Sequence, residues 1–335
     1  MMFGNFIVDG FENNDCFNPK ARDNCCAPFI DLKNELQSHD IVLNTPDLNK
    51  NNKIGFEIHI DKQKFNSSKI PTFLFLWETT NVKKKNKDVD KKKYNKVFTW
   101  DDDLVTAKEY NKFNLPVANN NIYSKPGFKE RIGFCCSISG NKVPEKFLLK
   151  DLYKERIKLY KWFEKNAPFD FSLYGRGWDG TIKNRFYKNK FLFAISNKLN
   201  YKPNKFSKIY KGPIESKSYV LQKYKYCICY ENVACLNGYI TEKIFDSMFY
   251  GSVPIYWGAN NISQYIPKEC FIDRRNFADD TALYEFLKSI DEQKYISYQK
   301  AANDFLEANA FNKFSSEYFA KTIAYEIVTN INDNC

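Results

Sequence analysis

The sequence alternates short apolar segments of strand character with segments whose apolar residues recur at helical spacing. Strand candidates lie at residues 54–60, 70–77, 96–100, 131–139, 169–174, 225–230, 253–257 and 270–272. Helix candidates lie at residues 145–165, 216–223 and 241–250, and helical spacing dominates the tail 279–333. This alternation predicts the α/β class, with a mostly parallel sheet covered by helices on both faces.

The chain has 335 residues, which is enough for two domains at the typical ~150 residues each. The predicted boundary lies at Tyr123–Lys129, because Pro126 and Gly127 interrupt any regular element there. No apolar run approaches the ~18–20 residues that a membrane-spanning helix needs. The amino-terminal residues also lack the basic-then-apolar order of a secretory signal. We therefore expect a cytoplasmic protein that is soluble or peripherally associated with a membrane.

The chain is basic, with 51 lysines and arginines against 40 acidic residues and a net charge of +11. Such an excess favours anionic partners, namely nucleic acid, a membrane surface or a phosphorylated substrate. The lysine-rich segment 83–93 is predicted to be a mobile loop that contacts a membrane or a charged acceptor, although simple solvation is the alternative. Nucleic acid is less favoured as a partner, because the sequence lacks RNP-like, KH and zinc patterns.

The metal-binding residue types form no recognisable zinc pattern, since the ten cysteines include no CxxC pair and only His39 and His59 are available. Asp101-Asp102-Asp103 contains two carboxylates at a spacing that can hold a divalent ion. We interpret this run as an acidic loop or helix start instead. We therefore expect no metal site and no obligatory cofactor, and acid–base chemistry falls to carboxylates.

A buried strand in the segment 225–272 ends at Glu231 and Asn232. Ligands of open α/β sheets bind beyond the carboxyl ends of strands, so these side chains are well placed for binding. Thr241 is the predicted N-cap of the following helix. Lys243 in its first turn opposes the helix dipole, at a cost of about 0.3–1 kcal/mol. A bound phosphate would reverse that sign, and a solvent-directed lysine is the alternative.

Arg156 lies on the apolar stripe of the helix predicted at residues 145–165. The other members of the stripe are Leu149, Leu152, Tyr153, Tyr160 and Phe163. A core-facing arginine needs an anion, which is a protein carboxylate in the commoner case or a substrate phosphate. Together with Lys243, Arg156 suggests a clamp for a diphosphate.

Glu78 follows the most apolar strand candidate, IPTFLFLW. A carboxylate at the mouth of a sheet is partly shielded from water, which raises its pKa towards the range of a general base. A charge that merely ends the strand is the alternative interpretation.

One long ungapped run contains Tyr239-Ile240-Thr241-Glu242-Lys243 followed by Gly251–Gly258. This run resembles the signature of the α-1,3/1,4-fucosyltransferases, inverting enzymes that use GDP-β-L-fucose. Three further elements are similar to that family, namely Cys229–Asn232, the Gly-Arg-Gly turn in Tyr174–Trp178, and Phe134–Asn141. The resemblance covers residues 131–280. Before them only Leu76–Thr79 is similar, and Thr79-Thr80 replaces the usual Ser-Pro.

The resemblance implies a GT-B architecture, in which two Rossmann-like domains face each other across a cleft. It assigns residues 1–130 to an acceptor-side domain and residues 131–310 to a GDP-fucose-binding domain. Residues 311–335 would form a helix that packs back on the first domain.

The resemblance also implies which residues hold the donor. Arg156 and Lys243 would bind the diphosphate without metal, and Glu242 would hold the ribose hydroxyls. Tyr239 and Asn232 would line the nucleotide pocket.

The remaining implied roles concern catalysis and the acceptor. Glu78 would be the general base, and Arg176 of the Gly-Arg-Gly turn would contact the donor. The acceptor would be a glycan containing GlcNAc or Glc, joined through an α-1,3 or α-1,4 linkage. A GT-B enzyme for another nucleotide sugar, an inactive family member and a basic nucleic-acid-binding protein are the competing interpretations.

Overall fold

The computed structural model describes residues 1–63, 70–107, 109–118, 125–142, 151–179 and 205–333. These residues form two six-stranded sheets, and every neighbouring pair of strands in both sheets is parallel. The α/β prediction is therefore confirmed, with one parallel sheet in each half of the chain.

The first sheet has the strand order β2-β1-β3-β4-β5-β6. Its strands are β1 (Met2–Ile7), β2 (Ile41–Asn44), β3 (Ile54–Ile60), β4 (Thr72–Leu76), β5 (Lys96–Thr99) and β6 (Tyr110–Lys112). All five residues of β4 are buried, as expected for a central parallel strand with helices on both sides. Asp61 and Glu78 follow the carboxyl ends of β3 and β4.

The second sheet has the strand order β9-β8-β7-β10-β11-β12. Its strands are β7 (Gly133–Ile138), β8 (Phe171–Tyr174), β9 (Tyr210–Gly212), β10 (Tyr224–Tyr230), β11 (Val253–Trp257) and β12 (Ile272–Asp273). In this doubly wound order the direction of winding reverses between β7 and β10. Such a reversal opens a crevice at the carboxyl edge of the sheet, where ligands bind.

Helices cover both sheets. They are α1 (Ala27–Gln37), α2 (Asp102–Val105), α3 (Leu152–Asn166), α4 (Lys217–Leu221), α5 (Glu242–Phe249), α6 (Asp280–Ser289), α7 (Glu292–Glu307), α8 (Asn309–Asn312) and α9 (Ser316–Asp333). Although α9 follows the whole second sheet in the chain, it packs against α1. Phe319 and Ile323 of α9 share the core of the first sheet with Leu32 of α1.

The structure corrects the predicted elements in several places. The sequence patterns missed β1, β2 and α1, together with the three-residue strands β6 and β9. The helix predicted from residue 145 is α3, which begins at Leu152 because the Asp151 side chain caps it by accepting the Tyr153 N–H at 2.8 Å. Positions 145–150 of that prediction, Leu149 among them, lie outside the described residues. So does Tyr123 of the predicted domain boundary, and the boundaries themselves stay a prediction.

Arg131 joins the ends of three elements in the second half of the chain. Its side chain is 4% exposed and donates to four backbone carbonyl oxygens. These belong to Pro126, Leu221, Tyr224 and Tyr250, at 3.1, 2.8, 2.7 and 2.8 Å. A guanidinium suits this task, because its fixed fork of donors can serve several carbonyls at once.

We expect Arg131→Ala to lower the free energy of unfolding by about 3 kcal/mol, because it leaves four buried or partly buried carbonyls without their charged donor. Urea unfolding followed by tryptophan fluorescence measures the loss. The exposed Arg176 lies in the same half of the chain, and Arg176→Ala should change the midpoint little. Equal midpoints for the two variants would show that Arg131 does not hold these elements together.

Candidate functional site

A pocket lies at the carboxyl edge of the second sheet, between β7 and β10. The two strands contribute Ser137, Ile138, Ser139, Cys227, Ile228, Cys229 and Tyr230 to its lining. The charged side chains around it come from helices, and they are Arg156, Lys217, Glu242, Lys243 and Asp246. The structure thus brings the predicted site residues Arg156, Glu242 and Lys243 together at the carboxyl edge where the winding reverses.

Lys243 points at a buried carboxylate inside the protein. Its Nζ donates to Glu231 Oε2 and to Thr241 Oγ1, both at 2.9 Å. Glu231 is fully buried and also accepts the Thr241 N–H at 2.8 Å. Burial disfavours the charged lysine, but Glu231 and Glu242 outweigh it, and the pKa of Lys243 lies above its usual value. The cation is therefore fixed in the pocket instead of pointing to solvent.

Thr241 occupies the N-cap position of α5, as predicted, but its hydroxyl does not cap the helix. The hydroxyl donates to the Glu231 carboxylate at 2.8 Å instead. The first backbone N–H groups of α5 therefore have no side-chain cap from this residue, and they lie beside Lys243. Such a helix start attracts anions.

Arg156 is 6% exposed, and it reaches the pocket from the buried face of α3. One Nη2 donates to Asn232 Oδ1 at 3.3 Å, and the guanidinium lies over the Tyr153 ring at 4.4 Å. Its Nε has no hydrogen-bond partner in the part of the chain that the structure describes, and no carboxylate there pairs with it. A buried cation with an unused donor can accommodate an anion.

Asn232 and Tyr239 extend this cluster towards the first sheet. Asn232 Nδ2 donates to the Tyr239 hydroxyl at 3.4 Å, which is a weak hydrogen bond. The Tyr239 ring is buried against Trp100, with centroids 4.7 Å apart. Tyr239 therefore connects the pocket with the acidic helix start that follows β5.

Glu78 lies half-buried at the carboxyl end of β4, on the first sheet. Burial raises its pKa, and the nearby Asp61 raises it further. Lys142 and Lys243 oppose this effect, yet the net pKa stays above that of an ordinary carboxyl group. The charges of Lys142 and Lys243 act on Glu78 from the second half of the chain, so the carboxylate lies within electrostatic reach of the pocket. A carboxylate with this environment can accept a proton near neutral pH.

The Thr79-Thr80 departure from the family pattern leaves the turn after Glu78 well formed. The Thr79 carbonyl oxygen accepts the N–H groups of Val82 and Lys83 at 3.0 and 2.8 Å. The lysine-rich segment 83–93 that follows is also held, by the buried Asn86. The predicted mobile loop is therefore anchored near its beginning.

Arg176 lies apart from the cluster. It is exposed on the turn after β8, and its side chain forms no hydrogen bond among the described residues. Gly175 makes this turn at φ +128°, where a Cβ would lie 1.9 Å from the Ser139 carbonyl oxygen. The backbone of the Gly-Arg-Gly turn thus packs closely against the loop after β7, which requires glycine at position 175. Contact between Arg176 and the donor stays a prediction.

The sequence patterns did not identify Lys217 and Asp246 as part of the pocket. Lys217 Nζ donates to Asp246 Oδ2 at 2.5 Å and lies 3.7 Å from Glu242 Oε1. Burial raises the pKa of Asp246 to about 6, although Lys217 opposes this. The pKa of Glu242 lies below its usual value, because the positive charges of Lys243 and Lys217 outweigh the effect of partial burial. This carboxylate is therefore ionised. Asp246 gave no signal in the sequence, because helical spacing places it outside the apolar stripe of α5, and Lys217 gave none either.

The acidic run after β5 forms a helix start and a contact between the two halves. Asp101 caps α2 by accepting the Asp103 N–H at 3.0 Å. Asp102 accepts from Lys112 at 2.6 Å, Asn261 at 2.7 Å and the Tyr265 hydroxyl at 2.7 Å.

No group of three or more His, Cys, Asp or Glu side chains that could hold a metal ion occurs within the described ranges. In the same ranges, every helix is too short or too polar to cross a lipid bilayer.

The carboxyl-terminal model of glycosyltransferase family 10 (fucosyltransferase) matches residues 153–324, about half of the chain. The match contains Arg156, Asn232, Tyr239, Glu242 and Lys243, and thus most of the cluster described above.

Curated relatives and solved structures agree with this match. An α-(1,3)-fucosyltransferase of Helicobacter pylori is 30% identical over 115 residues, covering 34% of this chain and 23% of that protein. An α-(1,4)-fucosyltransferase of Arabidopsis thaliana is 35% identical over 72 residues, covering 22% of this chain and 18% of that protein. The aligned part of this chain thus spans less than a quarter of the length of either relative.

The crystal structure of an α1,3-fucosyltransferase with GDP superposes with a TM-score of 0.57 at 14% identity, covering 100% of this chain and 91% of that one. The GT-B architecture is therefore confirmed as the fold. Together with the family-model match, these findings place the sequence: the chain belongs to glycosyltransferase family 10, the fucosyltransferases.

Proposed function

We propose that the protein transfers L-fucose from GDP-β-L-fucose to a hydroxyl group of GlcNAc or Glc in a glycan, with inversion at the anomeric carbon. The proposed linkage is α-1,3, with α-1,4 as the second choice, since the relatives named above include both. The donor would bind at the second sheet and the acceptor at the first.

The observation that carries this proposal is the pair of cations in the pocket. Arg156 is buried and has no carboxylate partner in the described segments. Its charge acts on Lys243, whose own partner Glu231 also accepts from Thr241. One more anion at this place would relieve the repulsion between the two cations and would also meet the N–H groups at the start of α5. A nucleoside diphosphate supplies that charge.

The reaction requires stabilisation of the leaving GDP and removal of a proton from the acceptor hydroxyl, and residues beside different sheets would perform these two tasks. The acceptor oxygen forms a bond to C1 of fucose while the bond from C1 to the β-phosphate oxygen breaks. The electron pair leaves with GDP, where Arg156 and Lys243 would stabilise the growing negative charge. Glu78 would take the proton from the acceptor hydroxyl as the attack develops. The transition state has oxocarbenium character, by analogy with glycoside hydrolysis.

A screen of donor hydrolysis and transfer tests the proposed donor. We expect turnover of GDP-fucose in preference to other GDP- and UDP-sugars, and similar rates with and without EDTA, because fixed cations replace a metal at the diphosphate. Preferential turnover of another nucleotide sugar would change the assignment of the donor. Loss of activity in EDTA would show that a metal ion completes the clamp.

Glu78→Gln should lower kcat by about 100-fold or more, which is the usual scale for loss of a general base. The dissociation constant for GDP should stay within about twofold, because the proposed base does not hold the nucleotide. A base must be ionised to act, so wild-type kcat/KM should rise with pH through the raised pKa of Glu78 and then level off. The variant should lose that rising limb, and unchanged turnover would remove Glu78 from this role.

Arg156→Met and Lys243→Met should each weaken GDP binding by about 10- to 100-fold, measured by calorimetry, because each removes charged donors. Their stabilities should differ. Lys243→Met leaves the buried Glu231 without a cation and should cost about 3 kcal/mol of unfolding free energy, whereas Arg156→Met should cost little.

Lys158→Ala is the matched control, since it removes an exposed positive charge from the same helix as Arg156. Its affinity for GDP should equal that of the wild type. Unaltered GDP affinity in both pocket variants would exclude the clamp.

A further inference from the structure

A buried aspartate that the proposed reaction does not use, Asp61, is hydrogen-bonded to the backbone of Glu78. Asp61 follows β3 in the left-handed conformation, with φ 60°, and is 5% exposed. Its Oδ1 accepts the N–H groups of Trp77 and Glu78, both at 2.9 Å, and the Asn86 side-chain amide at 2.8 Å. One carboxylate oxygen therefore holds the backbone on the amino side of Glu78.

Asn86 holds the backbone on the carboxyl side of Glu78. Its Nδ2 also donates to the Glu78 carbonyl oxygen at 2.9 Å, and its Oδ1 accepts the Lys62 N–H at 2.9 Å. The side chain is 6% exposed, although its neighbours along the lysine-rich segment point outwards. Both peptide groups of Glu78 are thus fixed by side chains from two other parts of the chain.

The negative charge of Asp61 needs a separate explanation. An asparagine in its place would keep the same acceptor oxygen at lower desolvation cost, since only Oδ1 is used in these three hydrogen bonds. The hydrogen bonds alone therefore do not require a carboxylate. The distinctive effect of the charge falls on Glu78, whose proton affinity rises beside a second carboxylate.

We propose that Asp61 and Asn86 are positioning residues for Glu78, with Asn86 fixing its direction and the Asp61 charge setting the pH range in which it accepts a proton. This inference rests on the proposed role of Glu78 as base. Three charged groups of the other half of the chain also act on Glu78, namely Lys142, Lys243 and Glu242. Glu78 in turn acts on the hydroxyl groups of Tyr153 and Tyr239 from that half. From the first sheet Asp61 acts on Glu78, and Lys83 in turn acts on Asp61.

Kinetics of the 335-residue chain with GDP-fucose distinguish a positioning role from a purely structural one. Asn86→Ala should lower kcat by about 10- to 100-fold, because small displacements of a catalytic group are costly, while the dissociation constant for GDP stays unchanged. The matched control is Asn95→Ala, which removes a hydrogen bond to the Thr72 N–H at the opposite end of β4. The control should keep its kcat, and an equal effect of the two variants on kcat would overturn the role of Asn86.

Asp61→Asn tests the charge without removing the hydrogen bonds. The rising limb of its kcat/KM–pH profile should move to lower pH by about one unit, because the like charge is gone. A limb that stays in place would overturn the electrostatic role of Asp61.

A titration of the unliganded protein gives the same information without turnover. Carboxyl-carbon NMR of labelled glutamate, assigned with Glu78→Gln, should show Glu78 titrating at lower pH in Asp61→Asn than in the wild type. If GDP-fucose is not a substrate but this shift occurs, the proposed function fails while the electrostatic coupling stands. If the wild type turns over and the shift is missing, the coupling fails alone.

Discussion

The buried carboxylate of Glu231 is the group on which the pocket of the second sheet depends. It has no contact with solvent, and its charge is balanced by Lys243 and by two donors of Thr241. An isolated charge at that depth would be very costly, so the lysine is held in place before any ligand arrives. Arg156 has no such partner among the described residues, and it therefore carries the charge that a ligand would neutralise.

The two halves of the site depend on contacts between the sheets. Asp102 receives Lys112 from the first sheet and Asn261 and Tyr265 from the second. Beside it, Gly238 approaches so closely that a Cβ would lie 2.3 Å from the Trp100 carbonyl oxygen. The acidic run that resembles a metal-binding pattern thus forms a contact between the two halves of the chain.

Sequence patterns predicted the elements with strong periodicity and missed the weak ones. The run Val253–Trp257 is a strand with the predicted bounds, because it is apolar and ends at a glycine. By contrast, β1 contains Gly4 and Asn5, and β6 and β9 have three residues each, so none of them shows a clear alternation.

The site residues show the same division. Arg156 and Lys243 each break a local rule, and this conflict is visible in sequence. Asp61, Asn86 and Lys217 break none, and only the tertiary fold brings them to the site. The pairing of Lys243 with Glu231 was equally absent from the sequence pattern, since Glu231 follows a different element.

The return of α9 to the first sheet has a consequence for biosynthesis. Because α9 follows the second sheet in the chain, a ribosome makes all of that sheet before it supplies the helix that closes the first core. The half of the protein that is translated first is therefore the half that is completed last.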